Sequence, residues 1–319
     1  MASQERVEST VDQDVKGRVR EFYDRVGWRE GGEGVYQNAR YEDLRPVSQE
    51  YIHRCHLRVA RHLKPSGRFL LDAGSGPIQY PEYLTYSQGY AARVCADISE
   101  VALAEARQRI GDRSSGGHGL FVVADIANLP FAPGIFDGVV TLHTIHHLPE
   151  EEHPRAYDEI YRVLAPKSAA VVVNGWDSAP LMRLLDQPIR LANRLRGLAA
   201  RVSGGNRDAR QEARNERDGE VRRPKGTFVS KNNAAALREE AGSRMPIRIM
   251  VWRSVSVRFL RAFVHPRLAG KAFLRLLFWL EERFPGYFGV NGQYPLIVIE
   301  KDAGASPAGR VEKTGDRPV

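Results

Sequence analysis

The chain has 319 residues, of which 42% are apolar, a net charge of +8 and only two cysteines, Cys55 and Cys95. This length suits one large α/β domain with insertions or two modest domains. Two isolated cysteines exclude a disulfide framework and a cysteine-rich metal site. The polar N-terminus lacks the apolar stretch of a signal peptide, and no apolar run is long enough to cross a membrane. We therefore expect a cytoplasmic protein.

The positive charge is concentrated in one region of the chain. Residues 180–270 contain 20 basic and 8 acidic side chains, a balance of +12, so the remainder carries −4. A mildly acidic body with one basic region indicates a local electrostatic task rather than a protein coated in nucleic acid.

The N-terminal part of the chain predicts a helical cap. Residues 1–14 are polar and are expected to form a disordered tail. The apolar spacing after them predicts helices over Val15–Trp28 and Pro46–Leu63, so we assign 15–66 to this cap.

Apolar runs bounded by turn residues then alternate with helical patterns. Helices are predicted at Ser99–Ile110, with Ser99 as the N-cap, and at Pro149–Leu164. Nearly continuous apolar strands separated by helices predict a doubly wound, mostly parallel α/β sheet. The predicted strands of this alternation are Arg68–Ala73, Arg93–Ala96, Leu120–Ala124, Phe136–Leu142 and Ala169–Asn174.

The C-terminal part predicts two more strands, Ile247–Val257 and Leu296–Glu300, with a helix at Leu268–Phe284 between them. The α/β domain thus spans 67–302, with a helical and loop insertion at about 178–226 before the sixth strand. We expect residues 303–319 to be a second disordered tail.

The first half of this insertion predicts an amphipathic helix over 181–202. Arg183, Arg190, Arg194 and Arg201 form a stripe opposite an apolar sector. Three interpretations stay open, namely a solvated face of a helix that covers the active site, peripheral contact with an anionic membrane, and binding of an acidic substrate or a nucleic acid. The second half is charged, has no apolar periodicity and predicts a mobile loop. The apolar sector comprises Leu181, Leu185, Leu191, Ala192, Leu195, Leu198, Ala199 and Val202.

Three strand ends carry residues that suit a nucleotide. The first strand runs into a turn with Gly74 and Gly76, where the backbone passes close to a ligand. Asp97 ends the second strand and is able to accept both hydroxyl hydrogens of a ribose. Asp125 follows the third strand, where it suits an adenine amine, and Ile126 beside it could pack on the ring. A nicotinamide-dependent dehydrogenase fits less well, because Gln79 occupies the third small position of the dinucleotide fingerprint.

These stretches resemble the class I S-adenosylmethionine-dependent methyltransferases of the type 11 group. The likeness covers about residues 68–175 and rests on LLDAGSGP, VCADIS, VVADIANLPFAPGIFDGVVTLHTIHHL and DEIYRVLAPKSAAVVVN. It implies a Rossmann-like sheet of seven strands whose last strand is antiparallel, and S-adenosylmethionine as the cofactor. One departure is Ile78, where many members of the family keep a glycine.

The resemblance also implies roles for individual residues. Asp72, Gly74, Ser75 and Gly76 would hold the methionine end of the cofactor. The ribose would bind at Asp97 with Ile98 beside it, and the adenine at Asp125 and Ile126, while His143 would line the pocket. Aromatic residues of the cap, namely Tyr23, Trp28, Tyr36 and Tyr41, are candidates for a lid over the cofactor.

The acceptor is less constrained than the cofactor. His146 and His147 follow the fourth strand and are the candidate general bases. No acidic pair follows that strand to hold magnesium, so we expect a methyltransferase without a metal. We expect a small-molecule or glycan acceptor methylated on oxygen. The alternatives are a lipid or quinone at the membrane surface and a nucleic acid, the latter supported only by the basic segment 201–225.

Overall fold

The computed structural model describes residues 15–28, 42–111, 118–202 and 227–303. A seven-stranded sheet forms its centre, with strand order β3-β2-β1-β4-β5-β7-β6. Strand β7 runs antiparallel to both of its neighbours, and the pairings from β3 to β5 are all parallel. This confirms the predicted α/β class and the antiparallel last strand. The strands are β1 Gly67–Ala73, β2 Tyr90–Asp97, β3 His118–Val123, β4 Phe136–Leu142, β5 Leu164–Val173, β6 Ile247–Arg253 and β7 Tyr294–Lys301.

Helices cover both faces of the sheet. Residues 15–22 form α1, which continues as a π-helical turn at Tyr23–Gly27. None of the described helices is both long and apolar enough to span a bilayer. The remaining helices are α2 Gln49–Leu57, α3 Pro81–Leu84, α4 Glu100–Gly111, α5 His153–Val163, α6 Pro180–Val202, α7 Ala234–Glu240, α8 Val257–Phe263, α9 Gly270–Arg283 and α10 Pro285–Asn291.

The core lies on both sides of the sheet because successive strand residues point to opposite faces. Leu70 and Val140 belong to one buried cluster, which packs under α2, α4 and α9. Their neighbours Leu71 and Val139 belong to the other cluster, together with Ile160 of α5. Each strand therefore contributes apolar side chains to two layers, which explains its nearly continuous apolar sequence.

Capping side chains decide where several helices begin. The Ser99 hydroxyl accepts the Ala102 amide hydrogen at 3.0 Å, which confirms the predicted N-cap of α4. The predicted strand Ile247–Val257 is wrong in its second half, since β6 ends at Arg253. The Ser256 hydroxyl accepts the Phe259 amide hydrogen at 3.2 Å and starts α8 there. A capping serine thus overrides the β-propensity of the valines around it.

The insertion begins as the predicted helix. α6 runs unbroken through Pro188 from Pro180 to Val202. The predicted loop lies at 203–226, outside the described residues, as do residues 1–14 and 304–319.

Candidate functional site

A cavity of about 450 Å³ opens at the carboxyl ends of β1, β2 and β4. Open α/β sheets bind their ligands at this edge, and the volume lies in the range of small-molecule sites. The cavity brings together predicted site residues from different elements. Those that line it are Tyr23, Gly74, Ser75, Gly76, Asp97, Ile98, Asp125, Ile126, His143, His146 and His147.

The turn after β1 is shaped by two glycines with left-handed backbone angles. Gly74 has φ +73° and Gly76 has φ +54°. A Cβ atom on Gly74 would lie 2.2 Å from the Cγ2 atom of Thr144, so no larger residue fits there without rearrangement. Ile78, at the position where the family often has glycine, also has a left-handed φ of +57°, and its side chain is buried. The isoleucine thus adopts a backbone conformation that glycine takes more easily, and it adds core packing at some cost in strain.

The Asp97 carboxylate supports the glycine turn through a hydrogen bond from its backbone. One carboxylate oxygen accepts the Gly76 amide hydrogen at 2.9 Å, and the other accepts the Ser99 amide hydrogen at 2.9 Å. Burial raises the pKa of Asp97 to about 6, against the opposing effect of these two hydrogen bonds, and the charges of Asp72 and Asp24 add to the increase. Each oxygen keeps a free lone pair that a ligand hydroxyl can use.

Asp125 reaches the cavity from the loop after β3 and already has two partners. Its carboxylate accepts the Ala127 amide hydrogen at 2.9 Å and lies 2.6 Å from the ammonium of Lys16. Lys16 also forms an ion pair with Glu152 at 2.5 Å. The first helix of the cap is thus tied by charge to the end of the cavity where an adenine is expected.

Asp72 does not line the cavity, contrary to the expectation that it holds the methionine end of the cofactor. Its side chain is almost fully buried, at 3% exposure, and forms an ion pair with the guanidinium of Arg93. Arg93 lies in β2 and is buried as well. A carboxylate inside the sheet needs such a partner, and this pair fixes the two strands that carry the turn and Asp97.

The cap covers the cavity through Tyr23 and Trp28. The two rings stack at a centroid distance of 5.0 Å, and the indole lies over Gly76. The Tyr23 hydroxyl is 2.7 Å from the Nε2 atom of His147. The candidates Tyr36 and Tyr41 lie outside the described residues.

The two predicted bases differ in how their ring nitrogens are used. His147 Nδ1 must donate to the Phe228 carbonyl at 2.9 Å, so Nε2 accepts from the Tyr23 hydroxyl. His146 Nδ1 lies 3.2 Å from the Asn174 side-chain oxygen, which leaves Nε2 free in the described part of the chain. Of these two histidines, His146 is therefore the one placed to take a proton from a ligand.

Burial depresses the basicity of every histidine in the cavity. It lowers the pKa of His143 to about 3 and that of His147 to about 4. The pKa of His146 also falls well below its usual value because of burial, with a smaller effect from His147. All three rings are neutral at pH 7.

Other lining residues had no signal in the sequence. Lys231 follows the undescribed segment and reaches the cavity beside Gly175. Of the described residues in the basic region 180–270, only Thr227, Val229 and Lys231 line the cavity, and none of the described side chains of α6 reaches it. Further residues that line the cavity and were not predicted include Glu42, Gln79, Tyr80, Tyr83 and Tyr294.

With this geometry established, the family assignment follows from a match over the same elements. The family model described as a methyltransferase domain matches residues 71–172, which run from β1 to β5 and include the glycine turn, Asp97 and Asp125. Residues 71–172 therefore form the methyltransferase domain of an enzyme that uses S-adenosylmethionine. The site of this methyltransferase suits that cofactor. The Asp97 carboxylate can still accept two hydrogen bonds, and the glycine turn beside it leaves room for a ligand.

Solved structures resemble the methyltransferase over most of its length. Magnesium protoporphyrin IX methyltransferase from Synechocystis PCC 6803 with bound SAH is 17% identical, covers 90% of this chain and 100% of its own, and has a TM-score of 0.50. Phosphoethanolamine N-methyltransferase 2 from Haemonchus contortus is 14% identical, with coverages of 89% and 60% and a TM-score of 0.47. The [4+2]-cyclase SpnF is 18% identical, with coverages of 92% and 96% and a TM-score of 0.47. No curated protein matches the chain.

Proposed function

We propose that this methyltransferase transfers a methyl group to an oxygen atom of a small-molecule or glycan acceptor, without a metal ion. The observation that carries the proposal is a continuous cavity that joins the glycine turn and Asp97 to a second half lined by Tyr80, Tyr83 and Tyr294. Two ligands side by side in one roofed cavity are what an in-line transfer requires.

The cofactor end is assigned to the first half of the cavity. Asp97 would accept the ribose hydroxyls, with Ile98 beside it. Gly74, Ser75 and Gly76 would face the methionine end, and the position of His143 supports contact with the same end. Asp125 and Ile126 would face the adenine, and one oxygen lone pair of Asp125 beyond its bonds to Lys16 and Ala127 supports this role. Asp72 would act indirectly, through its ion pair with Arg93.

S-adenosylmethionine supplies an activated methyl group, so the protein's task is to align the acceptor and exclude water. Tyr23 and Trp28 roof the cavity. His146 Nε2 would accept a proton from an acceptor hydroxyl. Its low basicity favours an acidic hydroxyl, because proton transfer from an ordinary alcohol to so weak a base is steeply uphill. His147 would not act as a base, because its two ring nitrogens connect the Tyr23 hydroxyl of the cap to the Phe228 carbonyl.

The proposal is tested by following the methyl group. Purified enzyme is incubated with a cell extract and S-adenosylmethionine carrying a deuterated methyl group, and the products are separated by size. The label should appear as a deuterated methoxy group in the low-mass fraction. Label in protein or RNA, or on nitrogen or carbon, would contradict the proposal, and heat-inactivated enzyme serves as the control.

The raised pKa of Asp97 predicts how cofactor binding should depend on pH. A ribose diol binds the ionised carboxylate, so affinity is full above the pKa of about 6 and is lost as the pH falls through it. The dissociation constant of S-adenosylhomocysteine, measured by calorimetry, should be constant from pH 7 to 8. It should rise about tenfold by pH 5, one unit below that pKa. A constant affinity from pH 5 to 8 would contradict this role for Asp97. His143 and His147, with pKa values of about 3 and 4, do not titrate in this range.

A second candidate is a lipid or quinone acceptor reached at a membrane surface. It is favoured by α6, where Leu184, Leu191 and Leu195 are 74%, 57% and 56% exposed. Their spacing of seven and four residues puts them on one helix face. The exposed residues Arg183, Arg190 and Arg194 each directly precede one of these leucines, so the arginine row lies beside this face. The arginines were expected opposite the apolar residues. Apolar side chains next to cations suit an anionic bilayer.

This surface predicts binding to anionic vesicles. The protein should sediment at low salt with vesicles of phosphatidylglycerol and phosphatidylcholine, and not with phosphatidylcholine alone. The double variant Leu191→Ser, Leu195→Ser should lose most of this binding. Leu120→Ser, which alters an exposed leucine on the edge strand β3, should keep it. Equal sedimentation of the double variant and the wild type would remove the membrane candidate. The nucleic-acid alternative rests on a basic segment that lies almost wholly outside the described residues.

A further inference from the structure

The half of the cavity assigned to the acceptor contains a cation, Lys231, that has no ion-pair partner among the described residues. The Lys231 side chain lines the cavity, and its Nζ atom would lie 3.3 Å from a Cβ atom on Gly175. Gly175 follows β5, so the ammonium group reaches the sheet edge because this position has no side chain. No hydrogen bond or ion pair joins Lys231 to any residue that the structure describes.

The surroundings of Lys231 do not neutralise it. Glu42 lies on the same side of the cavity and is already paired with the buried guanidinium of Arg253. Asp177 is exposed to solvent, and its charge opposes only part of the effect of burial, which lowers the pKa of Lys231. The cavity histidines are neutral, and the charge of Lys231 is one reason for their low pKa values.

An unpaired ammonium in a partly buried pocket favours a ligand that carries negative charge. The desolvation of the cation is already part of the folded state, so an incoming anion gains the Coulomb attraction at reduced cost. The other lysine at the cavity, Lys16, is neutralised by Asp125 and Glu152 at the opposite end. The charge pattern therefore distinguishes the acceptor half from the cofactor half.

We propose that Lys231 is the anion-binding residue of the acceptor pocket, and that the acceptor presents a carboxylate or phenolate oxygen to it. This inference rests on the proposed function and narrows its substrate class to oxyanions. An acceptor that is already ionised has no proton to lose, so His146 would not need to act as a base on it, in keeping with the low pKa of that histidine. When such an oxygen takes the methyl group, its O–C bond forms as the S–C bond breaks, and the sulfonium becomes a neutral thioether.

The test measures charge preference in the binary complex with S-adenosylhomocysteine. Protein saturated with S-adenosylhomocysteine is titrated calorimetrically with two matched pairs, 4-hydroxybenzoate against 4-hydroxybenzamide and octanoate against octanamide. At least one carboxylate should bind the wild type about tenfold more tightly than its amide, the usual scale of one charge-assisted hydrogen bond. Lys231→Met should abolish that preference, and Lys231→Arg should retain most of it. The control Lys271→Met, on the exposed surface of α9, should leave it unchanged.

The affinity for S-adenosylhomocysteine distinguishes a failure of the Lys231 proposal from a failure of the proposed function. It should change less than about twofold in Lys231→Met, because the lysine faces the acceptor. A marked loss would mean that Lys231 serves the cofactor and would overturn the proposal. Wild-type protein without preference for either carboxylate, or a preference that persists in Lys231→Met, would overturn it as well. Failure of the wild type to bind S-adenosylhomocysteine would instead remove the proposed function on which the inference rests.

Discussion

Replacing Asp97 with asparagine should weaken the binding of S-adenosylmethionine and S-adenosylhomocysteine by about a hundredfold or more. Two hydrogen bonds from ribose hydroxyls to a charged acceptor would be lost or weakened, at roughly 1.5–3 kcal/mol each. The asparagine amide also turns an NH2 donor toward the amide hydrogen of either Gly76 or Ser99, both of which now donate to the carboxylate. The glycine turn therefore loses its support together with the ligand contact.

The comparison for Asp97→Asn is Asp158→Asn, which changes an exposed carboxylate on α5. Both variants should give wild-type circular dichroism, and only the first should lose calorimetric binding. An Asp97→Asn protein that binds either ligand within about threefold of the wild type would disprove the ribose assignment.

Replacing Gly74 with alanine should cost both stability and cofactor affinity. The left-handed φ of +73° penalises any Cβ atom by about 1 kcal/mol. The new methyl group would also lie 2.2 Å from Cγ2 of Thr144, and the Thr144 hydroxyl hydrogen-bonds to the Gly74 carbonyl at 3.2 Å. The turn must move, and a displacement of 1 Å in a positioning loop suffices for a hundredfold loss.

Gly134→Ala is the matched control for this glycine. Gly134 has nearly the same φ, +71°, but a Cβ atom there meets nothing closer than 4.0 Å. Urea unfolding should show a loss of about 1 kcal/mol for Gly134→Ala and at least about twice that for Gly74→Ala. Only Gly74→Ala should lose binding of S-adenosylhomocysteine. Equal losses of stability and unchanged binding in both variants would show that the turn adapts and that contact with Thr144 does not constrain it.

The strand-end residues were the most predictable part of the site. Asp97 and Asp125 end or follow strands that the sequence marks by apolar runs, and parallel strands bring their carboxyl ends to one edge. The two glycines were predictable because a turn at that edge requires a left-handed backbone. These features depend on local sequence and on one rule of topology.

The remaining site residues depend on contacts that local patterns do not encode. Arg93 looks like one more strand residue, and only its packing inside the sheet against Asp72 turns the acid away from the cavity. Lys231 lies 58 residues after β5 ends, in a basic region where nothing in the sequence distinguishes it from its basic neighbours. Only the fold brings it to Gly175. The division of labour between His146 and His147 required their hydrogen-bond partners Asn174, Tyr23 and Phe228.

The most direct test of the central claim is a calorimetric titration of the wild-type protein with S-adenosylhomocysteine at pH 7.5. The account predicts saturable binding with one ligand per chain, together with an increase in melting temperature that grows with ligand concentration. Folded protein that shows neither heat of binding nor thermal stabilisation would contradict the assignment of this cavity to the cofactor.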